Sequence, residues 1–265
     1  TRVRPKTEVV RESHSVGEAM EDLRRLGEER LGKADLNSGL EYGTIAISKY
    51  RRTDGTNSWL VTIPGTDGKR DSPFGWPQNV ELMSSDSKQR MEADSARMVQ
   101  EAMKQAGINS DEPVALIGHS QGGIVAATIA SDLKDDYDVK HVVTAGSPVA
   151  NHPIPDKTWV TSVEMDDELV AALDGAPNPN SEHWLTVRGT ASKSDNNPKS
   201  TFAGTPVIDA PDNKEITHWL KYHQAAYQNA TDMGSSAMKT HEQHFDEILD
   251  GDLQEVMYFE GRMSK

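Results

Sequence analysis

The ten residues Val114-Ala115-Leu116-Ile117-Gly118-His119-Ser120-Gln121-Gly122-Gly123 constrain the fold of this chain more than any other stretch. Four apolar residues in a row, entered through Pro113, read as a strand buried on both faces. From Gly122 onward, Ile124, Val125, Ile129 and Leu133 take the spacing of a helix. The switch happens across Gly118-His119-Ser120-Gln121-Gly122, a G-x-S-x-G. A turn that tight forces its central residue into a strained backbone conformation and lifts the side chain clear of the sheet. The positions beside it must be nearly free of side chain, and Gly118 and Gly122 meet that need. A phosphate-binding reading of the same turn fails. It requires a Lys followed by Ser or Thr after the glycines, and Gly123-Ile124-Val125 has neither.

The flanking elements set this turn in an alternating α/β pattern. Val16, Met20, Leu23, Leu26 and Leu31 have helical spacing, with Glu18, Glu21 and Asp22 at the helix start. Residues 42–50 and 59–63 read as two strands joined by the turn Asp54-Gly55-Thr56-Asn57. A helix over residues 87–106, with Met91, Met98, Val99, Ala102 and Met103 on one face, delivers the chain to the elbow strand as a right-handed crossover. Further strands are expected at 139–145, 159–164 and 183–188, and helices at 216–227 and around Phe245, Ile248 and Leu249. Residues 256–259 read as a closing edge strand. The predicted fold class is α/β, a mostly parallel central sheet flanked by helices.

At 265 residues the chain suits one such domain, residues 1–265, with residues 1–12 as a polar tail. Residues 69–86 are rich in Pro and Gly yet carry Phe74, Trp76, Val80, Leu82 and Met83, which suggests a lid or lip over a substrate's apolar part. Asp and Glu outnumber Lys and Arg by 42 to 28, a net charge of −14, which argues against nucleic acid or an anionic membrane surface as the main partner. The absence of cysteine removes disulfides, thiol nucleophiles and Cys-ligated zinc. No stretch reads as a membrane span or a signal peptide. A start at Thr1 rather than Met reads as a processed or trimmed piece of something longer. Compartment is left open, with a secreted or cell-surface location favoured over the cytoplasm, and oligomeric state is not legible.

A serine hydroxyl becomes a nucleophile when a neutral histidine takes its proton and a carboxylate orients that histidine. With Ser120 on a strand-to-helix elbow, the partners are expected in the order acid, then histidine. The acid belongs in the loop after a later strand, where Asp166, Asp167 and Glu168 cluster behind Val163. Spacing alone does not choose among the three. Downstream histidines are His183, His218, His223, His241 and His244. His183 falls in a predicted strand, and His218 sits at a loop-to-helix junction suited to hanging an imidazole over the serine. His223 lies five positions on, about 140° round a helix, so the two rings cannot both face Ser120. His241 and His244 share a helical face without an H-E-x-x-H pattern, so no metal site is assigned and no cofactor is called for. The N–H groups of Thr66, in the loop after strand 59–63, and of Gln121, after the serine, are the oxyanion candidates.

Ile63-Pro64-Gly65-Thr66, Gly118-His119-Ser120-Gln121-Gly122-Gly123, Thr144-Ala145-Gly146-Ser147-Pro148 and the acidic turn before Leu173-Asp174-Gly175 together resemble the class 3 lipase-like branch of the α/β-hydrolases, including actinobacterial members with a GHSQGG elbow. The resemblance covers roughly residues 42–230 and implies an α/β-hydrolase fold. Such lipases carry their acid in an Asp-x-Val-Pro setting, and the match here is Glu168-Leu169-Val170-Ala171, a departure at two positions. Motif position favours Glu168, with Asp167 displaced by one. The family's oxyanion position falls on Thr66. Cutinases share the Gln121-Gly122 side of the elbow but are disulfide-bonded. The expected activity is that of a serine carboxylic-ester hydrolase on a small-molecule or lipid ester. A thioesterase or acyltransferase using the same site, or a non-catalytic binding domain on a hydrolase scaffold, are the alternatives.

Overall fold

The computed structural model describes residues 1–30, 40, 43–65, 94–165, 178–189, 191–193, 200–202, 205–207 and 220–261. At its centre lies an eight-stranded sheet. In chain order its strands are β1 (Arg2–Val3), β2 (Thr44–Arg51), β3 (Asn57–Ile63), β4 (Pro113–His119), β5 (Asp138–Ala145), β6 (Trp159–Met165), β7 (Trp184–Gly189) and β11 (Asp252–Glu260). Three short strands, β8 (Ala191–Lys193), β9 (Ser200–Phe202) and β10 (Thr205–Val207), form a separate antiparallel sheet. The helices are α1 (Val16–Arg30), α2 (Asp94–Ala106), α3 (Gln121–Asp132), α4 (Leu220–Met233) and α5 (Ser236–Ile248). The order across the main sheet is β1-β11-β2-β3-β4-β5-β6-β7. From β3 to β7 every pairing is parallel, while β2, β11 and β1 add an antiparallel flank.

Strand β4 runs through the middle of this sheet, and its alternation explains the layers. Val114 and Leu116 face a core built with Ala96, Val99 and Met103 of α2 and Ile124, Val125 and Ile129 of α3. Ala115 and Ile117 face the opposite core, with Met20 and Leu23 of α1, Tyr222 and Ala226 of α4, and Phe245 and Ile248 of α5. All four β4 residues are at most 1% exposed. Covered on both faces, a parallel strand must be apolar throughout rather than alternating, which is the run the sequence displays. Burial of Val, Leu and Ile at about 1.5–3 kcal/mol each makes this strand a large contributor to stability.

Helix α1 starts where Ser15 accepts from the Glu18 N–H at 3.1 Å and the Glu18 carboxylate reaches back to the Ser15 hydroxyl at 3.4 Å. The first of these bonds satisfies a backbone donor that a helix start otherwise leaves without an intrahelical acceptor, and the second holds the Ser15 hydroxyl in place.

Three expectations need correction. The segment read as a tail is packed: β1 pairs with β11, and Val9 and Val10 are buried in a small core with Leu26, Ala46 and Tyr258. The Tyr258 hydroxyl accepts from the N–H groups of Val9 at 3.3 Å and Val10 at 3.0 Å. Those partners lie almost a whole chain away, so a local reading of residues 1–12 finds no period and misses them. Strand β11 is flanked on both sides, by β1 and β2, and is not an edge. The helix expected around Phe245, Ile248 and Leu249 is longer and ends earlier: α5 begins at Ser236, where the Ser235 hydroxyl accepts from the Met238 N–H at 3.2 Å, and Leu249 is its C-cap. The proposed lid, residues 69–86, and the first part of the 87–106 helix lie outside the described residues.

Candidate active site

The elbow forms where β4 meets α3, and its central residue is the one non-glycine with positive φ among the described residues: Ser120, at φ 56° and ψ −122°. These angles mirror the extended region and belong by preference to glycine, so an L-residue there carries strain. The surroundings hold it in place. The Ser120 N–H donates to the Ala145 carbonyl at 2.8 Å, and the Ser120 carbonyl accepts from the N–H groups of Gly123 at 3.0 Å and Ile124 at 3.2 Å. The neighbouring glycines are required by contact. A Cβ on Gly118 would lie 2.3 Å from the Gly122 carbonyl, and one on Gly122 would lie 2.1 Å from the Ile63 carbonyl oxygen.

The chain leaving β3 passes close to this turn at Gly65. A Cβ on Gly65 would stand 2.8 Å from the His119 carbonyl oxygen and 3.1 Å from the Ser120 Cβ. Thr66, the oxyanion candidate that follows Gly65, lies outside the described residues, as do the acid candidates Asp167 and Glu168 and the histidine candidate His218. The strand before the acidic cluster, β6, does run parallel beside β5 and ends at Met165, one residue short of Asp166. Gln121 opens α3 fully buried, and its side-chain amide donates to the Ser95 hydroxyl of α2 at 3.3 Å.

Among the described histidines, His223 comes to the elbow. It is 0% exposed on α4, and its ring lies 5.8 Å from that of His119, the residue preceding Ser120. The other downstream histidines gather elsewhere. His183 and His244 both stack on Trp159, at 4.8 Å and 4.1 Å between ring centroids. His141 of β5, which sequence reasoning did not single out, meets His244 at 3.0 Å between Nδ1 atoms and the Thr161 hydroxyl at 2.8 Å through Nε2. His241 contacts the same hydroxyl at 3.4 Å. No group of three or more His, Cys, Asp or Glu among the described residues is arranged to hold a metal ion.

This cluster makes stability depend on acidity. Burial holds His141 well below the usual histidine range, reinforced by the neighbouring His244 and His241. Burial and the nearby His241 pull His244 down to about 4. A ring with a depressed folded pKa stays neutral while the unfolded chain takes up a proton, so its contribution is intact above about pH 6.5 and is lost as pH falls toward the folded value. Denaturant titrations are expected to show stability falling between pH 6.5 and 4, and His244→Gln is expected to flatten that fall by about 1 kcal/mol, discounted for partial exposure. An unchanged slope in the variant would remove His244 as a contributor.

Comparison with known proteins yields a family match. A family described as PGAP1-like alpha/beta domain matches residues 79–213, just over half of the chain. The matched region contains the elbow, β5, β6 and the acidic cluster, and ends before His218. No curated protein and no solved structure matches the chain.

Proposed function

The chain belongs to the PGAP1-like α/β-domain family, an α/β-hydrolase-type family, and from that premise we propose that it is a serine carboxylic-ester hydrolase acting through an acyl-enzyme. The observation that carries the reading is the strained backbone of Ser120 between two glycines that cannot be anything larger. In this mechanism the Ser120 hydroxyl attacks the ester carbonyl carbon while its proton passes to the imidazole of His218. The N–H groups of Thr66 and Gln121 receive the oxyanion, and Glu168 or Asp167 orients the imidazole. The imidazolium then protonates the departing alcohol, and water activated by the same ring releases the acid. The finer affinity with class 3 lipases rests on the sequence motifs alone. No helix among the described residues is long and apolar enough to cross a membrane.

A fluorophosphonate probe tests the reading directly. Stoichiometric labelling of the wild type that disappears in Ser120→Ala supports it, and a folded wild type that does not label leaves a non-catalytic domain. With p-nitrophenyl esters of rising chain length, His218→Ala is expected to lower kcat by about 10³-fold or more. His223→Ala, which empties a buried position beside His119, is expected to act mainly on stability. The opposite pattern would move the general base to His223. Thioesters in the same panel separate a thioesterase from an esterase.

A further inference from the structure

The turn after β5 brings a second serine to the elbow. Gly146, at φ 63°, bends the chain, and its N–H donates to the Val163 carbonyl of β6 at 3.0 Å. The next residue, Ser147, is 1% exposed, and its hydroxyl donates to the Ser120 carbonyl at 2.8 Å, with the Ala145 carbonyl also within 3.2 Å. The fit is tight enough to dictate another glycine, because a Cβ on Gly123 would lie 2.0 Å from the Ser147 oxygen.

The Ser120 carbonyl and the Gln121 N–H are the two ends of one planar peptide group. Whatever fixes the carbonyl also fixes the direction of the N–H, and a hydrogen bond accepted by the oxygen polarises the nitrogen end. Counting Ser147, three donors converge on this one oxygen: the Gly123 N–H, the Ile124 N–H and the Ser147 hydroxyl. The first two belong to the start of α3 and come with any helix. The third crosses from a different strand and locks the peptide plane to the sheet.

We infer that Ser147 is a positioning residue for ester hydrolysis, holding the Ser120–Gln121 peptide so that its N–H is aimed and polarised toward the oxyanion. This rests on the reading of Ser120 as nucleophile and Gln121 N–H as oxyanion donor. Because the charge on the oxyanion develops only in the transition state, loss of the Ser147 hydroxyl acts on turnover and not on substrate binding. Removing an oxyanion donor outright costs about 10²–10³-fold, and removing the group that orients one costs a fraction of that, on the order of tenfold.

The test compares wild type, Ser147→Ala and Ser147→Cys for p-nitrophenyl butyrate turnover and for the rate of fluorophosphonate labelling, with thermal midpoints recorded alongside. The expected result is a Ser147→Ala protein that is folded, has kcat lowered about tenfold with KM within about twofold, and labels more slowly but to full stoichiometry. Ser147→Cys, which fills the space with a weaker donor, is expected to fall between and carries the test if the alanine variant does not fold. A lowered thermal midpoint with unchanged kcat and labelling rate overturns the inference and leaves Ser147 as a structural clamp. A wild type that fails to label, or a Ser120→Ala protein that still labels, overturns the underlying hydrolase reading and this inference with it.

Discussion

Ser120→Gly is expected to abolish turnover and to make the protein more stable at the same time. Loss of the hydroxyl removes the nucleophile and is expected to lower kcat by ~10⁴- to 10⁶-fold on any ester the wild type hydrolyses. The backbone argument points the other way. At φ 56° and ψ −122°, Ser120 occupies a region where a side chain costs about 1–3 kcal/mol and glycine sits without penalty. Glycine also loses more backbone entropy on folding, about 0.5–1 kcal/mol, which offsets part of the relief. A net gain of about 1 kcal/mol is therefore expected, which for a chain of this size is about 2–4 °C in thermal midpoint. Activity assays and thermal unfolding on the same preparation decide the matter. A Ser120→Gly protein that is less stable than wild type would mean the elbow is not a reservoir of strain.

Gly122→Ala is expected to damage both the fold and the elbow. The new Cβ would sit 2.1 Å from the Ile63 carbonyl oxygen and 2.6 Å from that of Pro64, both backbone atoms with no flexible end to swing aside. Either α3 or the end of β3 must move, and both are packed against the elbow. A loss of about 3 kcal/mol or more in denaturant unfolding is expected, together with loss of labelling at Ser120, since the same displacement opens the loop leading to Thr66. Gly27→Ala in α1 is the matched control. Its Cβ meets the Pro64 Cβ at an ordinary 3.8 Å, so replacing glycine in this helix interior is expected to add about 1 kcal/mol. Equal effects at the two positions would show that the glycines serve backbone entropy rather than contact.

Much of the architecture was legible because its signals are short-range. Residues 113–133 announce a strand, a sharp turn and a helix through a change of period within a few residues, and the structure has β4 and α3 there. The β2–β3 hairpin, α1 and the parallel strands β5 to β7 follow from equally local patterns. The site was legible in part. Ser120 and the approach of Gly65 to the elbow could be read from motif and order, whereas the acid, the base and Thr66 rest on the sequence argument alone.

What escaped the sequence depends on partners far apart along the chain. Nothing near residues 1–12 signals that Val9 and Val10 will pack beneath Tyr258. His141 lies in an apolar strand and gives no hint that His241 and His244 will close over it from α5. Ser147 could have been suspected from its place at the carboxyl end of a parallel strand, where α/β sheets gather their ligands and working residues. Its hydrogen bond to the Ser120 carbonyl could not.

The sequence by itself determined an α/β layer order and a strained serine between glycines, because alternation, helical spacing and the steric needs of a tight turn are properties of neighbouring residues. Only the tertiary structure decided which side chains support that serine and which histidines lie elsewhere. Those contacts arise from the packing of segments 20 to about 100 residues apart, and no local pattern encodes them.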